Sequence, residues 1–220
     1  MTTASAEGAR ERLPRASVAR LPAYLLALDG LWSEGTKLTS SHELAARSGV
    51  SPEQLRKDLS FLGSYGRRGV GYDVAQLRGH IGSVLGLEEP NRVVIVGVGH
   101  LGHALAAYGG FAERGFSIVG LVDDDPAVVG TTVAGLVVRP VAELADVVAS
   151  GGATIGVIAT PAAVAQQVAD ALAAAGVHGI LTFAPQTLQT PDGVQVRAVD
   201  LASELQLLAF HGRHREHAKA

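Results

Sequence analysis

Gly97, Gly99 and Gly102 stand in G-x-G-x-x-G spacing within VVIVGVGHLG (residues 93–102), directly after an apolar run. In that spacing the first glycine permits a tight strand-to-helix turn. The second lets backbone approach a pyrophosphate, and the third lets helix and sheet close up. Val98, His100 and Leu101 belong to the same turn, whose free amides and helix dipole favour an anion. Asp123 ends the next apolar run, 21 residues beyond Gly102, where a carboxylate accepts hydrogen bonds from an adenosine ribose. It also repels a 2′-phosphate, so the pattern predicts NADH and NAD+ as ligands rather than their phosphorylated forms. Thr160 and Pro161 in ATPA (159–162), and Phe183 and Pro185 in FAPQTL (183–188), follow later strands at the same carboxyl edge and line the predicted crevice. Asp124 and Asp125 read as a solvated loop.

Hydride transfer would also need a general acid or base aimed at a substrate carbonyl, usually His, Lys or a carboxylate. The eight histidines do not converge on that role. His100 and His103 lie in or just after the glycine turn, His178 begins a strand at the opposite edge, and His211, His214 and His217 fall in the basic tail. There is no lysine between residues 58 and 218, and the stretch after residue 200 is too short for a substrate domain. No catalytic residue is assigned on this basis. Cysteine is absent, which excludes disulfides, thiolate zinc sites, iron–sulfur clusters and cysteine nucleophiles, and no metal site is expected.

A second constellation lies upstream, in LTSSHELAARSGVSPEQLRKDLSFLG (38–63). Ser40 with Glu43, and Ser51 with Pro52 and Gln54, are two helix N-terminus signatures separated by Gly49, so two helices meet at a very tight turn. Leu55, Leu59 and Leu62 mark the inward side of the second helix, leaving Gln54, Arg56, Lys57 and Ser60 on or near the other. SYGRRGVGYDV (64–74) follows and suits a small β-hairpin with Arg67 and Arg68 at a basic tip. In a helix–turn–helix with such a wing, Arg56 and Lys57 can reach guanine edges in the major groove, while Arg67 and Arg68 contact phosphates or enter the minor groove. Arg47 and the helix amides serve as phosphate anchors, and Ser51, Gln54, Ser60 and Tyr65 complete the candidate DNA-binding set.

These constellations need elements to hold them. Leu21, Leu25, Leu28 and Trp32 form one helical stripe with Pro22 in its first turn, and Val74, Leu77, Ile81 and Val84 or Leu85 point inward from another helix. Downstream, strand-like runs at 93–97, 117–123, 154–160, 178–183 and 194–200 alternate with helical ones such as 163–176. That alternation predicts an α/β fold: a winged helix–turn–helix domain followed by a Rossmann-type doubly wound parallel sheet. Charge divides at the same place. Residues 1–85 hold 11 Lys/Arg against 8 Asp/Glu, a net of +3, and residues 86–220 hold 7 against 13, a net of −6. A basic half joined to an acidic half suits a polyanion-binding module attached to something else.

The expected division is therefore a flexible tail at 1–16, a winged-helix domain at 17–85, a Rossmann domain at 86–200, and a C-terminal helix with a basic tail at 201–220. The last helix carries Leu201, Leu205 and Leu208 on one side and adds Leu207 and Phe210, more apolar surface than one covered face needs. It packs either on a second subunit or on its own domain. No run approaches the roughly 18–20 apolar residues of a membrane span, and no apolar segment follows the charged start as in a signal peptide, so a cytoplasmic location is expected. The residues themselves also leave two other classes open. One is an NAD-dependent oxidoreductase with an N-terminal helical interaction domain. The other is a helical assembly module whose nucleotide only stabilises the fold.

Taken together, RLPAYLLAL (20–28), SSHELAARSGVSPEQLRKDLSFLGSYGRRGVGYDV (40–74), VGVGHLGHALAAYGGF (96–111), FAPQTL (183–188) and VDLASELQLL (199–208) resemble one family, the redox-sensing transcriptional repressors called Rex. That resemblance implies a homodimer with its C-terminal helix swapped into the partner. It implies that a palindromic operator with TTGTGA-type half-sites is held in the NAD-free or NAD+-bound state and released by NADH. It also carries a coupling role over to Arg20, Tyr108 and Asp200, which change partners between nucleotide states and link the nicotinamide pocket to the helix–turn–helix pair; of this, the residues themselves place Tyr108 within the helix after the glycine turn and Asp200 as cap of the last helix. The chain departs from the family pattern at His100 and Thr182, where Asn is usual, and at Phe61-Leu62, where a Tyr-Phe pair is usual.

Overall fold

The computed structural model describes residues 13–63, 66–67 and 71–217, without the side chains of 66, 67 and 211–217. The chain divides into two compact units, Met1–Glu89 and Pro90–Ala220.

In the first unit, helices α1 (Arg15–Val18), α2 (Leu21–Ser33), α3 (Ser41–Ser48), α4 (Pro52–Leu62) and α5 (Val74–Leu85) pack around one core. Strands β1 (Leu38–Thr39), β2 (Gly66–Arg67) and β3 (Gly71–Asp73) form an antiparallel sheet in the order β1-β3-β2. The Ser40 hydroxyl accepts the Glu43 amide and the Ser51 hydroxyl accepts the Gln54 amide, each at 3.1 Å, so both helix starts are capped as their sequence requires. Gly49 closes α3 in the left-handed region, and α4 begins three residues later. Leu55, Leu59 and Leu62 face inward, as do Val74, Leu77, Ile81 and Val84. Each fully buried leucine removes enough apolar surface from water to contribute about 1.5–3 kcal/mol.

Two expectations change here. The inward stripe of α2 is Leu21, Tyr24, Ala27, Leu28 and Leu31, while Leu25 is half-buried and Trp32 is exposed with the Arg78 guanidinium over its ring at 6.0 Å. The helix is rotated from the expected stripe because Tyr24, an amphipathic residue, has a buried partner for its hydroxyl. The ordered unit also starts before residue 17: Leu13 packs into the core and α1 opens at Arg15, for a polar tail cannot move freely once an apolar residue anchors it. Residues 1–12 lie outside the described residues.

The second unit is a seven-stranded sheet in the order β10-β9-β8-β4-β5-β7-β6, built from β4 (Asn91–Val96), β5 (Phe116–Asp123), β6 (Thr132–Val133), β7 (Leu136–Pro140), β8 (Ile155–Ile158), β9 (Gly179–Thr182) and β10 (Gln195–Ala198). All pairings are parallel except the β6–β7 hairpin. Alternation along β4 separates two cores. Val94 and Val96 pack under α7 (Leu144–Gly151) and α8 (Ala162–Ala174), whereas Val93 and Ile95 join Ala106 of α6 (His100–Ala106) on the other face. The β6–β7 hairpin lies outside the strand-like runs expected from the sequence. Its two-residue turn, Ala134-Gly135, has φ of 50° and 82°, and alanine there gives no turn signal. The last helix, α9, spans Leu201–His217.

Candidate functional site

Strand order reverses at β4, whose chain successor β5 lies on one side and β8 on the other. The carboxyl ends of such a pair open a crevice. At its floor the Gly97 amide donates to the Val122 carbonyl at 2.9 Å and the Ala159 amide to the Val96 carbonyl at 2.8 Å. Gly97 has φ +91°, and a Cβ there would stand 2.8 Å from the Ala159 carbonyl carbon. A Cβ on Gly102 would stand 1.8 Å from the Gly97 oxygen, so these two glycines are demanded by the protein's own packing. Gly99 is different. Its φ is −63° and a Cβ would meet nothing within 4 Å.

That open position is where a glycine-rich turn admits a group from outside, and a dinucleotide pyrophosphate fits it. A second observation agrees: Thr160 Oγ1 is buried with no hydrogen-bond partner among the described residues, although its methyl lies within reach of Gly97. The turn also carries exposed His100 and Leu101, while the Val98 side chain is buried in the sheet core. Asp123 is buried, with Oδ2 accepting the Val98 amide at 2.5 Å and Oδ1 the Asp125 amide at 2.9 Å. It therefore shapes the turn from the neighbouring strand end and retains lone pairs for a ribose. Asp125 accepts the Ala127 amide at 2.9 Å, a loop-forming role, and Asp124 is exposed.

Pro161 is exposed at the start of α8. The 183–188 loop is tied back to it, for Gln186 Nε2 donates to the Ala162 carbonyl at 2.8 Å and the Phe183 amide to the Ile158 carbonyl at 3.1 Å. Thr182, fully buried, accepts the Ala184 amide through Oγ1 at 3.1 Å and so bends the loop. Pro185 is exposed on it. Sequence reasoning missed the Gln186 tie, because a polar residue in a loop carries no signal of its partner.

Tyr108 lies outside the helix expected to hold it. Helix α6 ends at Ala106, and Tyr108 is 54 % exposed in the following loop, edge-on to Phe111 with ring centroids 5.1 Å apart. Gly109 and Gly110 follow at once, and a Cβ on Gly110 would stand 2.5 Å from the Tyr108 ring. The ring takes the space that glycine leaves, and the helix stops.

In the first unit, α4 presents its candidates unevenly. Arg56 donates to Ser41 at 3.0 Å and Glu53 at 2.9 Å, and Arg47 is paired with Glu34 at 2.7 and 2.8 Å. Ser51 is used as a cap, and Ser60 donates to the Lys57 carbonyl at 2.7 Å. The exposed Lys57 side chain makes no ion pair or hydrogen bond among the described residues. The expected hairpin includes Gly66↔Tyr72 and Arg67↔Gly71 pairs, and β1 adds a third strand beside it. Tyr65 and Arg68 lie outside the described residues, as does the Arg67 side chain.

Gln54 does not stand free on the outer face: its Nε2 donates to Asp58 Oδ1 at 2.9 Å. Asp58, a charged residue outside the candidate DNA-binding set, lies on the inward side of α4 and is fully buried. Its Oδ1 also accepts Ser17 Oγ at 2.9 Å and Arg20 Nη2 at 2.7 Å, and its Oδ2 accepts Arg20 Nε and Tyr24 Oη, both at 2.6 Å. Burial alone would raise the carboxyl pKa, but the bonds from Arg20, Tyr24, Ser17 and Gln54 outweigh it and hold Asp58 at about 2. Burial and the bond to Asp58 push the Tyr24 hydroxyl up to about 12, and the same carboxylate raises Arg20. The available signal was spacing, since Asp58 falls three residues after Leu55 and four before Leu62.

Asp200 caps α9, accepting the Ala202 and Ser203 amides at 3.0 and 3.3 Å and the Ser203 hydroxyl at 2.6 Å, and these bonds lower its pKa. Every described side chain of α9 is exposed, including Leu201, Leu205, Leu207, Leu208 and Phe210. Of the two expectations for this helix, packing on its own domain is therefore not met. Among the described residues, no cluster of three His, Cys, Asp or Glu could hold a metal, and no helix is long and apolar enough to cross a membrane.

Comparison with known proteins agrees with this division of labour. Residues 12–60 match the family model described as putative DNA-binding protein N-terminus, and residues 88–186 match the CoA binding domain. The redox-sensing transcriptional repressor Rex of Streptomyces avermitilis is 57 % identical over 199 residues, covering 90 % of this chain and 79 % of the relative. That of Carboxydothermus hydrogenoformans is 46 % identical over 202 residues, covering 92 % and 97 %. Among solved structures, RSP in complex with β-NAD+ and operator DNA aligns with a TM-score of 0.86 at 33 % identity, over 94 % of this chain and 95 % of that one. RSP in complex with β-NADH aligns at 0.84 and 32 %, over 94 % and 97 %. With a capped helix–turn–helix, a glycine crevice at a strand switch point and relatives of this identity over nine-tenths of its length, the chain belongs to the Rex family of redox-sensing transcriptional repressors.

Proposed function

We propose that the chain is a repressor that occupies a palindromic operator when NADH is scarce and leaves it when NADH binds, so reading the NADH/NAD+ ratio. The observation that carries this reading is Gly99, a glycine that its own protein does not require, in a chain that also presents a helix–turn–helix. It is a regulator rather than an enzyme, and operator DNA places it in the cytoplasm.

In this reading the amides of Gly99, His100, Leu101 and Gly102, beyond the Gly97 turn, face the pyrophosphate, while the Val98 amide is held by Asp123 and fixes the shape of the turn. Asp123 accepts the ribose hydroxyls. Thr160, Pro161, Phe183 and Pro185 line the crevice, and Tyr108 stands by the nicotinamide. When bound, the nucleotide supplies the signal through its ring, neutral when reduced and positively charged when oxidised. An apolar wall costs less to form around the neutral ring. Only such a difference in affinity between DNA-competent and incompetent shapes can move the equilibrium.

Lys57 is the cation of α4 poised for DNA, Arg56 and Arg47 exchange their carboxylate partners for phosphates or bases, and Ser51, Gln54 and Ser60 flank them. Tyr65, Arg67 and Arg68 serve the wing. The exposed apolar side chains of α9 are covered by a second copy of the chain, giving a homodimer with a swapped helix. Arg20, Tyr108 and Asp200 then couple nucleotide state to DNA. The test is fluorescence anisotropy of an inverted-repeat duplex with TTGTGA-type half-sites at fixed salt. Tight binding that NADH reverses and NAD+ spares is expected; no preference for the duplex would return the oxidoreductase reading.

A further inference from the structure

We propose that Asp58 sets the base preference of α4 by fixing the orientation of the Gln54 amide, which then offers its Oε1 to an amino group on a base edge. The inference rests on the reading of α4 as the DNA-recognition helix.

The chemistry of the pair leaves one arrangement. Asp58 is fully buried and already collects the Arg20 guanidinium and the Tyr24 and Ser17 hydroxyls, so its carboxylate only accepts. A glutamine facing it can use only its NH2, and Gln54 does so at 2.9 Å. The amide is therefore not free to flip, and its oxygen is turned away from Asp58. Elsewhere on the same helix, Arg56 and Ser60 are engaged with neighbours, but Gln54 Oε1 has no partner among the described residues.

Position supports the assignment. Ser51 caps α4, which makes Gln54 the third residue of the helix, and N-terminal residues of a recognition helix are those that meet base edges. Gln54 and Asp58 are four apart and so share one side of the helix, with Lys57 exposed beside them. An unanchored glutamine can present either end of its amide. An anchored one holds its Oε1 in a fixed direction, an acceptor that suits N6 of adenine or N4 of cytosine. Asp58 is in this sense a positioning residue acting through Gln54, and Ser17, Arg20 and Tyr24 hold the carboxylate that does the positioning.

The experiment measures the full-length protein against the operator duplex and a panel of duplexes, each with one base pair of the half-site changed. Gln54→Leu removes the amide and leaves an aliphatic side chain that can make no hydrogen bond. It is expected to erase about a tenfold preference at one base pair, the size of one hydrogen bond's worth of discrimination. Asp58→Asn is expected to flatten the preference at that same base pair, and the double variant to flatten it no further. A purely structural role for Asp58 would weaken binding to every duplex alike and keep the preference profile, which would overturn the proposal. If Asp58→Asn does not fold, Gln54→Leu decides alone: an unchanged profile overturns the proposal. NADH affinity, read separately, is expected to stay at the wild-type value in Gln54→Leu. A wild-type protein with no preference for the operator would instead sink the DNA-binding reading, and this inference with it.

Discussion

Arg20 and Asp58, 38 residues apart in sequence, are joined by two parallel bonds, Nε to Oδ2 at 2.6 Å and Nη2 to Oδ1 at 2.7 Å. The pair ties the start of α2 to α4. It also gives Arg20 a carboxylate partner within its own unit. Arg20→Ala would leave a fully buried carboxylate without its cation, and breaking such a pair costs about 3 kcal/mol. The expected outcome is a lower denaturation midpoint for the first unit and an unaltered one for the second, read by urea titration.

The same cluster sets stability limits at both ends of the pH scale. Asp58 is held at about 2 against an ordinary 3.8, so its stabilisation is complete above about pH 4 and disappears as pH falls through 2. That shift corresponds to roughly 2 kcal/mol. Tyr24 is pushed from 10.0 to about 12, so its contribution is complete below pH 10 and is lost as pH rises through 12. Unfolding midpoints measured across pH should fall at both edges, and Asp58→Asn should remove the acid limb.

The glycine turn separates packing from binding. Gly102→Ala would drive a Cβ to 1.8 Å from the Gly97 oxygen, so it is expected to lower the melting temperature of the second unit by several degrees. Gly99→Ala has room in the protein and should melt as the wild type does. Its methyl fills the space assigned to the pyrophosphate, so NADH affinity should fall at least tenfold by fluorescence titration. Equal NADH affinity in Gly99→Ala would move the phosphate elsewhere.

Asp123→Ala removes both the proposed ribose acceptor and the 2.5 Å bond to the Val98 amide. NADH and NAD+ should weaken together, by about tenfold or more for a hydrogen bond to a charged group. A change in only one of them would take Asp123 out of the ribose role, because the ribose is common to both.

Leu205 and Leu208 are 66 % and 67 % exposed on α9, and a second copy of the chain is the proposed cover. Leu205→Glu with Leu208→Glu should shift the sedimentation coefficient from dimer to monomer and cost operator affinity with it. A dimer that survives both charges would place the subunit interface elsewhere.

Much of this was legible along the chain, for local reasons. The glycine spacing, the two serine caps and the alternation of apolar runs depend on neighbours within a few residues, and the structure places each where its spacing requires. The sequence by itself determined that a doubly wound sheet follows a helix–turn–helix, and that a carboxylate closes the second strand of the glycine turn. Tertiary structure alone decided which face of α2 is buried, because the Tyr24 hydroxyl finds a carboxylate 34 residues away. It decided that Gln54 turns inward to Asp58, that Tyr108 leaves its helix to lie over Gly110, and that Gln186 bridges to Ala162. Each of these depends on a partner brought close by folding, and a buried polar group must find such a partner or lose more than it contributes.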